Sequence, residues 1–279
     1  MTTATIDAKN ILITGIPRSG TSLFTGTLHK IPNSVALSEP VYFKKFKKSG
    51  FSPADYADEL QKLVRQIRKD ITEGRPIPNR YDVKSSEIAT NYFNRVQGEN
   101  GAQVEKTYEV REETIPVENA GFNLCIKNNA QFTACLDEIA KLVDFEIVTV
   151  VRNPLACILS WRSLNISISN GRQPGGEKFS KQLKKIRKID DLLMRQVKII
   201  DWYFETYHRC RDRVRLVRYE DFVKRPEMLR EIANVPENFV FPQYSSMNKR
   251  KEYNFEEVEN IRRYLNKQTE FVKRFYPEF

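Results

Sequence analysis

The stretch that most constrains this chain is Asn10–Ser22, Asn-Ile-Leu-Ile-Thr-Gly-Ile-Pro-Arg-Ser-Gly-Thr-Ser. Ile11, Leu12 and Ile13 form a short apolar run of buried-strand type. Residues 15–20 form a turn bounded by Gly15 and Gly20, and Leu23, Phe24, Thr27 and Leu28 then recur at helical spacing. A strand that feeds a tight glycine turn and opens a helix aims several backbone N–H groups, and the positive helix end, at one small volume. A phosphate or sulfate is stabilised there. The net charge of +10 and a pI near 9.3 likewise favour anionic ligands: nucleotides, sulfated or phosphorylated compounds, nucleic acid or an acidic membrane surface.

Gly15 and Gly20 stand at the separation found in the ATPase phosphate loop, G-x-x-x-x-G-K-[ST]. Here Thr21 and Ser22 follow the second glycine, so that loop's lysine is missing and the cation sits inside the turn as Arg18. This weakens a kinase reading and leaves the case for phosphate intact; an ordinary glycine turn is the plain alternative. A second stretch, Val148-Thr149-Val150-Val151-Arg152-Asn153-Pro154, repeats the strand–loop–helix design, with Ser160 eight positions after Arg152. Arg152 leaves a buried strand end, where a guanidinium can grip a phosphate with two prongs, and Ser160 can add a hydroxyl donor two helical turns on. The alternative is an arginine that satisfies carbonyls at a strand end, with a serine facing solvent.

Pro17-Arg18-Ser19-Gly20-Thr21-Ser22 resembles the 5′-phosphosulfate loop of sulfotransferases that use 3′-phosphoadenosine-5′-phosphosulfate (PAPS). The Arg152 and Ser160 pair resembles the 3′-phosphate site of the same family. Val217-Arg218-Tyr219-Glu220-Asp221-Phe222 resembles an Arg-Tyr-Glu-Asp-Leu segment of bacterial members, whose tyrosine lies near the adenosine. Cys125-Ile126-Lys127-Asn128 resembles the strand-end lysine segment of tyrosylprotein and several bacterial sulfotransferases. The resemblance spans residues 10–40 and 122–225. It leaves 41–121 and 163–210 uncovered, and these are expected to be acceptor-side insertions within one domain spanning 1–279. No segment matches the Arg-Lys-Gly closure of the cytosolic aryl enzymes; Ser245, Ser246 and Lys249 are candidates for that part.

The resemblance implies transfer of a sulfuryl group from PAPS to a hydroxyl, with PAP (adenosine 3′,5′-bisphosphate) as product and no metal. Arg18, the N–H groups of Ser19, Gly20, Thr21 and Ser22, and the Thr21 and Ser22 hydroxyls would hold the 5′-phosphate. Arg152 and Ser160 would hold the 3′-phosphate, with Tyr219 beside the adenosine. Lys127 is the candidate for neutralising the bridging oxygen. A hydroxyl must lose its proton as it attacks, so a general base is required. His29 and His208 do not resemble the catalytic histidine of the aryl enzymes. Glu39 stands where tyrosylprotein, heparan and some bacterial members place a catalytic glutamate, although it could instead pair with a cation of the Lys44–Lys48 run. The competing readings are a nucleotide kinase and a non-catalytic binder of nucleic acid or another anionic polymer; no recognised nucleic-acid module supports the latter.

The remaining pattern predicts an α/β fold: a central, mainly parallel sheet flanked by helices, with a phosphate loop of P-loop type. Expected strands are 122–126, 146–151 and 213–217, with an extended segment in 31–40 and one or two more strands in 103–115. Expected helices begin near Pro53, run over 132–142, start after the Asn153 cap, run unbroken over 182–207, and close the chain from Phe255 to Phe275. The residue before a proline is pushed towards extended geometry, which places Glu39 at a strand end or loop. Residues 165–176 read as a loop. The basic run Arg172–Lys188 opposes its cations with Glu177 alone; such a run is usually a solvated face, and its second reading is a guide for an anionic acceptor. No apolar segment is long enough to span a bilayer, nothing resembles a secretory signal, and the four cysteines lack metal-ligand spacing. A cytoplasmic enzyme acting on a small-molecule or glycan hydroxyl is therefore expected.

Overall fold

Five parallel strands form the central sheet in the order β2-β7-β1-β8-β9: β1 (Asn10–Gly15), β2 (Ser34–Ser38), β7 (Asn123–Lys127), β8 (Glu146–Val151) and β9 (Arg215–Arg218). The computed structural model describes residues 8–43, 46, 50–89, 93–98, 101–248 and 253–279. The Lys44, Lys45, Lys47 and Lys48 run and Lys249 lie outside them.

Both faces of the sheet are covered, which is why its strands read as continuous apolar runs rather than alternating ones. Leu12, Leu37, Leu124, Ile126, Ile147 and Val151 face one core, shared with helices α2 (Pro53–Thr72), α5 (Pro154–Arg162) and α8 (Leu192–Arg209). Ile11, Ile13, Ala36, Cys125, Val148 and Val150 face the other, covered by Phe24 and Leu28 of α1 (Thr21–His29) and Phe222 of α9 (Tyr219–Lys224). All four cysteines are buried and unbridged. Among the described residues no helix is long and apolar enough to cross a membrane.

The helix predicted from Pro53 forms as read, fixed by a capping box in which Ser52 and Asp55 exchange hydrogen bonds. Three others break. The 132–142 segment is two short helices, α3 (Asn129–Ala134) and α4 (Leu136–Ile139), meeting at Cys135. The long basic helix is also two, α7 (Lys181–Ile186) and α8. The Asp191 carboxylate caps the Met194 N–H at 3.0 Å, so an acidic residue that prefers a helix start splits a continuous apolar stripe.

The closing helix is α10 (Phe255–Gln268) followed by α11 (Val272–Phe275). Lys198 closes the first on the Gln268 carbonyl at 2.6 Å, and the Asp201 carboxylate accepts the N–H groups of Glu270, Phe271 and Val272. Phe255 is 79% exposed at the first turn. The 165–176 loop contains a 3-10 turn, Ser167–Asn170, and α6 (Pro174–Glu177).

Residues 74–122 hold two antiparallel pairs that the sequence pattern barely marks. β3 (Ile77–Asp82) pairs with β6 (Tyr108–Glu113), and β4 (Phe93–Gly98) pairs with β5 (Gly101–Lys106). Pro78 lies near the start of β3, opposite Glu112.

Candidate active site

With every strand of the sheet parallel, the loops after β1, β2, β7, β8 and β9 leave the same edge. Connections depart from β1 towards β2 and β7 on one side and β8 and β9 on the other, the switch point at which open α/β sheets bind ligands. The residues at that edge are the phosphate loop, Glu39, Lys127, Arg152 and Tyr219.

The loop is held from below. Ile16 N–H and the Ser19 hydroxyl both donate to the Val150 carbonyl, at 3.3 and 2.8 Å, and Trp161 Nε1 donates to the Pro17 carbonyl at 2.7 Å. Ser19 N–H donates to Ile16 O, so both donors of Ser19 are engaged inside the protein. The N–H groups of Gly20, Thr21 and Ser22 have no backbone acceptor among the described residues, as at other helix starts. Arg18 and Gly20 both have left-handed φ, 69° and 95°. At Gly20 a Cβ would sit 2.5 Å from Tyr219 Cδ2, so only glycine lets the loop pack this closely.

Lys127 is 5% exposed and donates to Ser22 Oγ at 3.1 Å. Burial lowers its pKa; Glu39 opposes the shift, and Arg18 and Arg80 add to it. Glu39, Arg18, Arg80 and Lys127 thus share one electrostatic environment. Glu39 follows the last rung of the β2–β7 ladder, its N–H donating to the Lys127 carbonyl at 2.8 Å. It sits at a strand end, as read from Pro40, yet its φ is +40° rather than extended. Asn128 caps α3, and Asn129 Nδ2 donates to Thr21 Oγ1 at 3.2 Å, tying that helix start to the loop.

The second cradle abuts the first. Arg152 is 7% exposed; its Nη1 donates to the Arg18 carbonyl at 2.9 Å, its Nη2 to Met247 O at 2.5 Å and its Nε to Asn248 Oδ1 at 2.8 Å. Ser160 is buried rather than solvent-facing and accepts from Arg18 Nε at 3.3 Å. Tyr219 joins the two cradles: its ring lies against Gly20 on one side and 4.6 Å from the Arg152 guanidinium carbon, and its hydroxyl accepts from Met247 N–H at 3.0 Å.

The structure also brings in residues that the sequence reading gave no role. Glu220 is a hub: its carboxylate accepts from Asn153 N–H, Asn248 Nδ2 and the Tyr276 hydroxyl, all within 2.8–2.9 Å. Its place beside Tyr219 was the available signal. Met247 and Asn248 engage Arg152, and Asn248 N–H donates to Ser246 Oγ, one of the residues expected in the closure, at 3.4 Å. His29 lies at the end of α1, lowered in pKa by burial, with Glu87 and the Ser34 backbone opposing. His208 packs against Arg211, Arg274 and Phe271 on α8. Neither histidine contacts the cradles.

Of the basic run, Arg172 and Arg187 both pair with the buried Glu177 carboxylate. Lys178, Lys184 and Lys188 have no acidic partner among the described residues, and they line a cleft of about 720 Å³ with Phe51 and Phe179.

Comparison with known proteins places residues 10–234 within the model of a family described as a sulfotransferase family. Among solved structures, the chain is similar to the sulfotransferase domain from the curacin biosynthetic pathway, at 11% identity and a TM-score of 0.43, covering 96% of this chain and 100% of that one. No curated protein matches significantly.

Proposed function

This chain belongs to the sulfotransferase family, and from that premise we propose that it moves a sulfuryl group from PAPS to an acceptor hydroxyl by in-line transfer, with Glu39 as general base. The observation that carries the reading is the Arg152 to Arg18 contact, which sets the second phosphate cradle directly against the first.

When bound, PAPS supplies an activated sulfuryl group and departs as PAP. Gly20, Thr21 and Ser22 would hold the 5′-phosphate through amide N–H groups, with Arg18 offsetting its charge. Lys127, already hydrogen-bonded to Ser22, would neutralise charge on the leaving group. Arg152 and Ser160 would hold the 3′-phosphate. The Glu39 carboxylate takes the acceptor proton. The cleft beside Phe51 and Phe179, with three lysines that have no acidic partner among the described residues, suits an acceptor bearing an anionic group.

The test begins with ligand-induced stabilisation. PAP should raise Tm well beyond ATP–Mg²⁺ or a short oligonucleotide, and a larger shift with ATP–Mg²⁺ would replace this reading with a kinase. Glu39→Gln should keep the PAP shift and lose transfer of labelled sulfate from PAPS to any hydroxyl acceptor found by screening. Retained transfer would assign the base elsewhere.

A further inference from the structure

Glu39 is held in a conformation that a glutamate does not choose. Its φ of +40° lies in the left-handed region, where an L-residue crowds its own backbone, and such geometry persists only where the surroundings impose it. One constraint is the ladder bond from Glu39 N–H to Lys127 O. That bond fixes the amide side of the residue and leaves the carbonyl side free to rotate.

Arg80 supplies the second constraint. It comes from β3, in the 41–121 stretch that the sequence motifs leave uncovered, and its Nη1 donates to the carbonyls of both Ser38 and Glu39. One guanidinium nitrogen thus grips the two carbonyls that flank the turn. The arginine is itself held. Arg80 pairs with Val110 across the β3–β6 ribbon, and its guanidinium carbon lies 5.1 Å from the ring of Tyr108, two residues along the same face of β6. Arg80 also acts electrostatically on Lys127.

We propose that Arg80 is the positioning residue for Glu39: the β3–β6 ribbon clamps the left-handed turn and thereby aims the carboxylate at the reacting hydroxyl. This rests on Glu39 being the base. Arg80 touches no reacting atom; it acts through the backbone of Glu39. Without the clamp, the turn relaxes to negative φ and the carboxylate swings away while the cofactor cradles stay intact.

The test uses Arg80→Ala in the full chain. PAP release from PAPS is followed with water as acceptor, together with the PAP-induced Tm shift and a PAP-bound crystal structure. The expected result is a fall in kcat of about 10- to 100-fold, the scale of a misplaced catalytic group. KM for PAPS and the PAP shift should be unchanged, with Glu39 at negative φ in the crystal. In the Glu39→Gln background the same substitution should lower the rate no further, since both changes remove one function.

Wild-type kcat, φ kept near +40°, or an additional loss in the Glu39→Gln background would each overturn the inference. If Arg80→Ala does not fold, the crystal structure of Arg80→Lys decides. The left-handed turn should survive only where Nζ reaches the two carbonyls, and a turn kept without those bonds overturns the proposal. Turnover retained in Glu39→Gln removes the base assignment and this inference together. Turnover lost there but kept in Arg80→Ala removes the inference alone.

Discussion

Replacing Gly20 with alanine tests the junction on which both proposed phosphate cradles depend. The backbone there has φ +95°, and the added methyl would meet Tyr219 Cδ2 at 2.5 Å and Cε2 at 3.1 Å. Left-handed geometry costs a residue with a Cβ about 1–2 kcal/mol. Pushing the packed tyrosine ring off its rotamer adds about 0.5–1.5 kcal/mol. Moving that ring also loosens its bond from Met247 N–H, worth about 0.5–1.5 kcal/mol. The total is about 2–5 kcal/mol, which for a chain of this size lowers Tm by roughly 3–9 °C.

Calorimetry of the unliganded protein measures it directly. A double-mutant cycle separates the parts: in a Tyr219→Ala background only the backbone cost of about 1–2 kcal/mol should remain. A fall in Tm below about 2 °C, or the same fall with and without the ring, would refute the steric argument.

Other outcomes follow from the same geometry. Arg152→Ala should weaken PAP binding by roughly 30- to 150-fold, about 2–3 kcal/mol for a lost charge-assisted contact, as read by calorimetric titration. Arg68, half-buried, donates to Asn10 Oδ1 and to the Lys9 and Phe122 carbonyls and lies 4.3 Å from the Phe122 ring centre. Arg68→Ala should therefore cost about 3 kcal/mol of stability and leave PAP affinity unchanged.

The lowered pKa of Lys127 makes a pH prediction. Between its folded pKa and 10.5 the unfolded chain holds a proton that the folded chain lacks, so the residue's contribution to stability rises with pH in that window. A bound phosphate restores the ammonium. PAP binding should then take up a proton above the folded pKa, detected by titration in two buffers of different ionisation enthalpy. Lys127→Met should abolish the uptake.

The strand–turn–helix at Asn10–Ser22 was legible because its geometry follows from local rules: an apolar run, two glycines and helical spacing within thirteen residues. The same holds for the Arg152 strand end and for Asn153, whose side chain caps Ala156 N–H at 3.1 Å. Helix continuity was misread where polar side chains competed with the apolar stripe. Asp191 and Asp201 each cap a new start inside a periodic run, and a hydrophobic pattern alone cannot register that competition. Ser19 was assigned to the ligand because a loop motif shows residue types and not which of them the loop uses on itself.

What the sequence determined by itself was therefore the doubly covered parallel sheet and the residue types offered to an anion, since both depend on neighbours within a turn or a strand. Only the tertiary structure decided which groups meet. Arg80 reaches Ser38 and Glu39 across more than forty residues, Arg152 reaches Arg18 across 134, and Glu220 gathers Asn153, Asn248 and Tyr276. The β3–β6 ribbon pairs Ile77 with Glu113 through strands whose charged, half-exposed residues carry almost no periodic signal. Such contacts are set by chain closure over long loops, and no local propensity encodes the register at which they close.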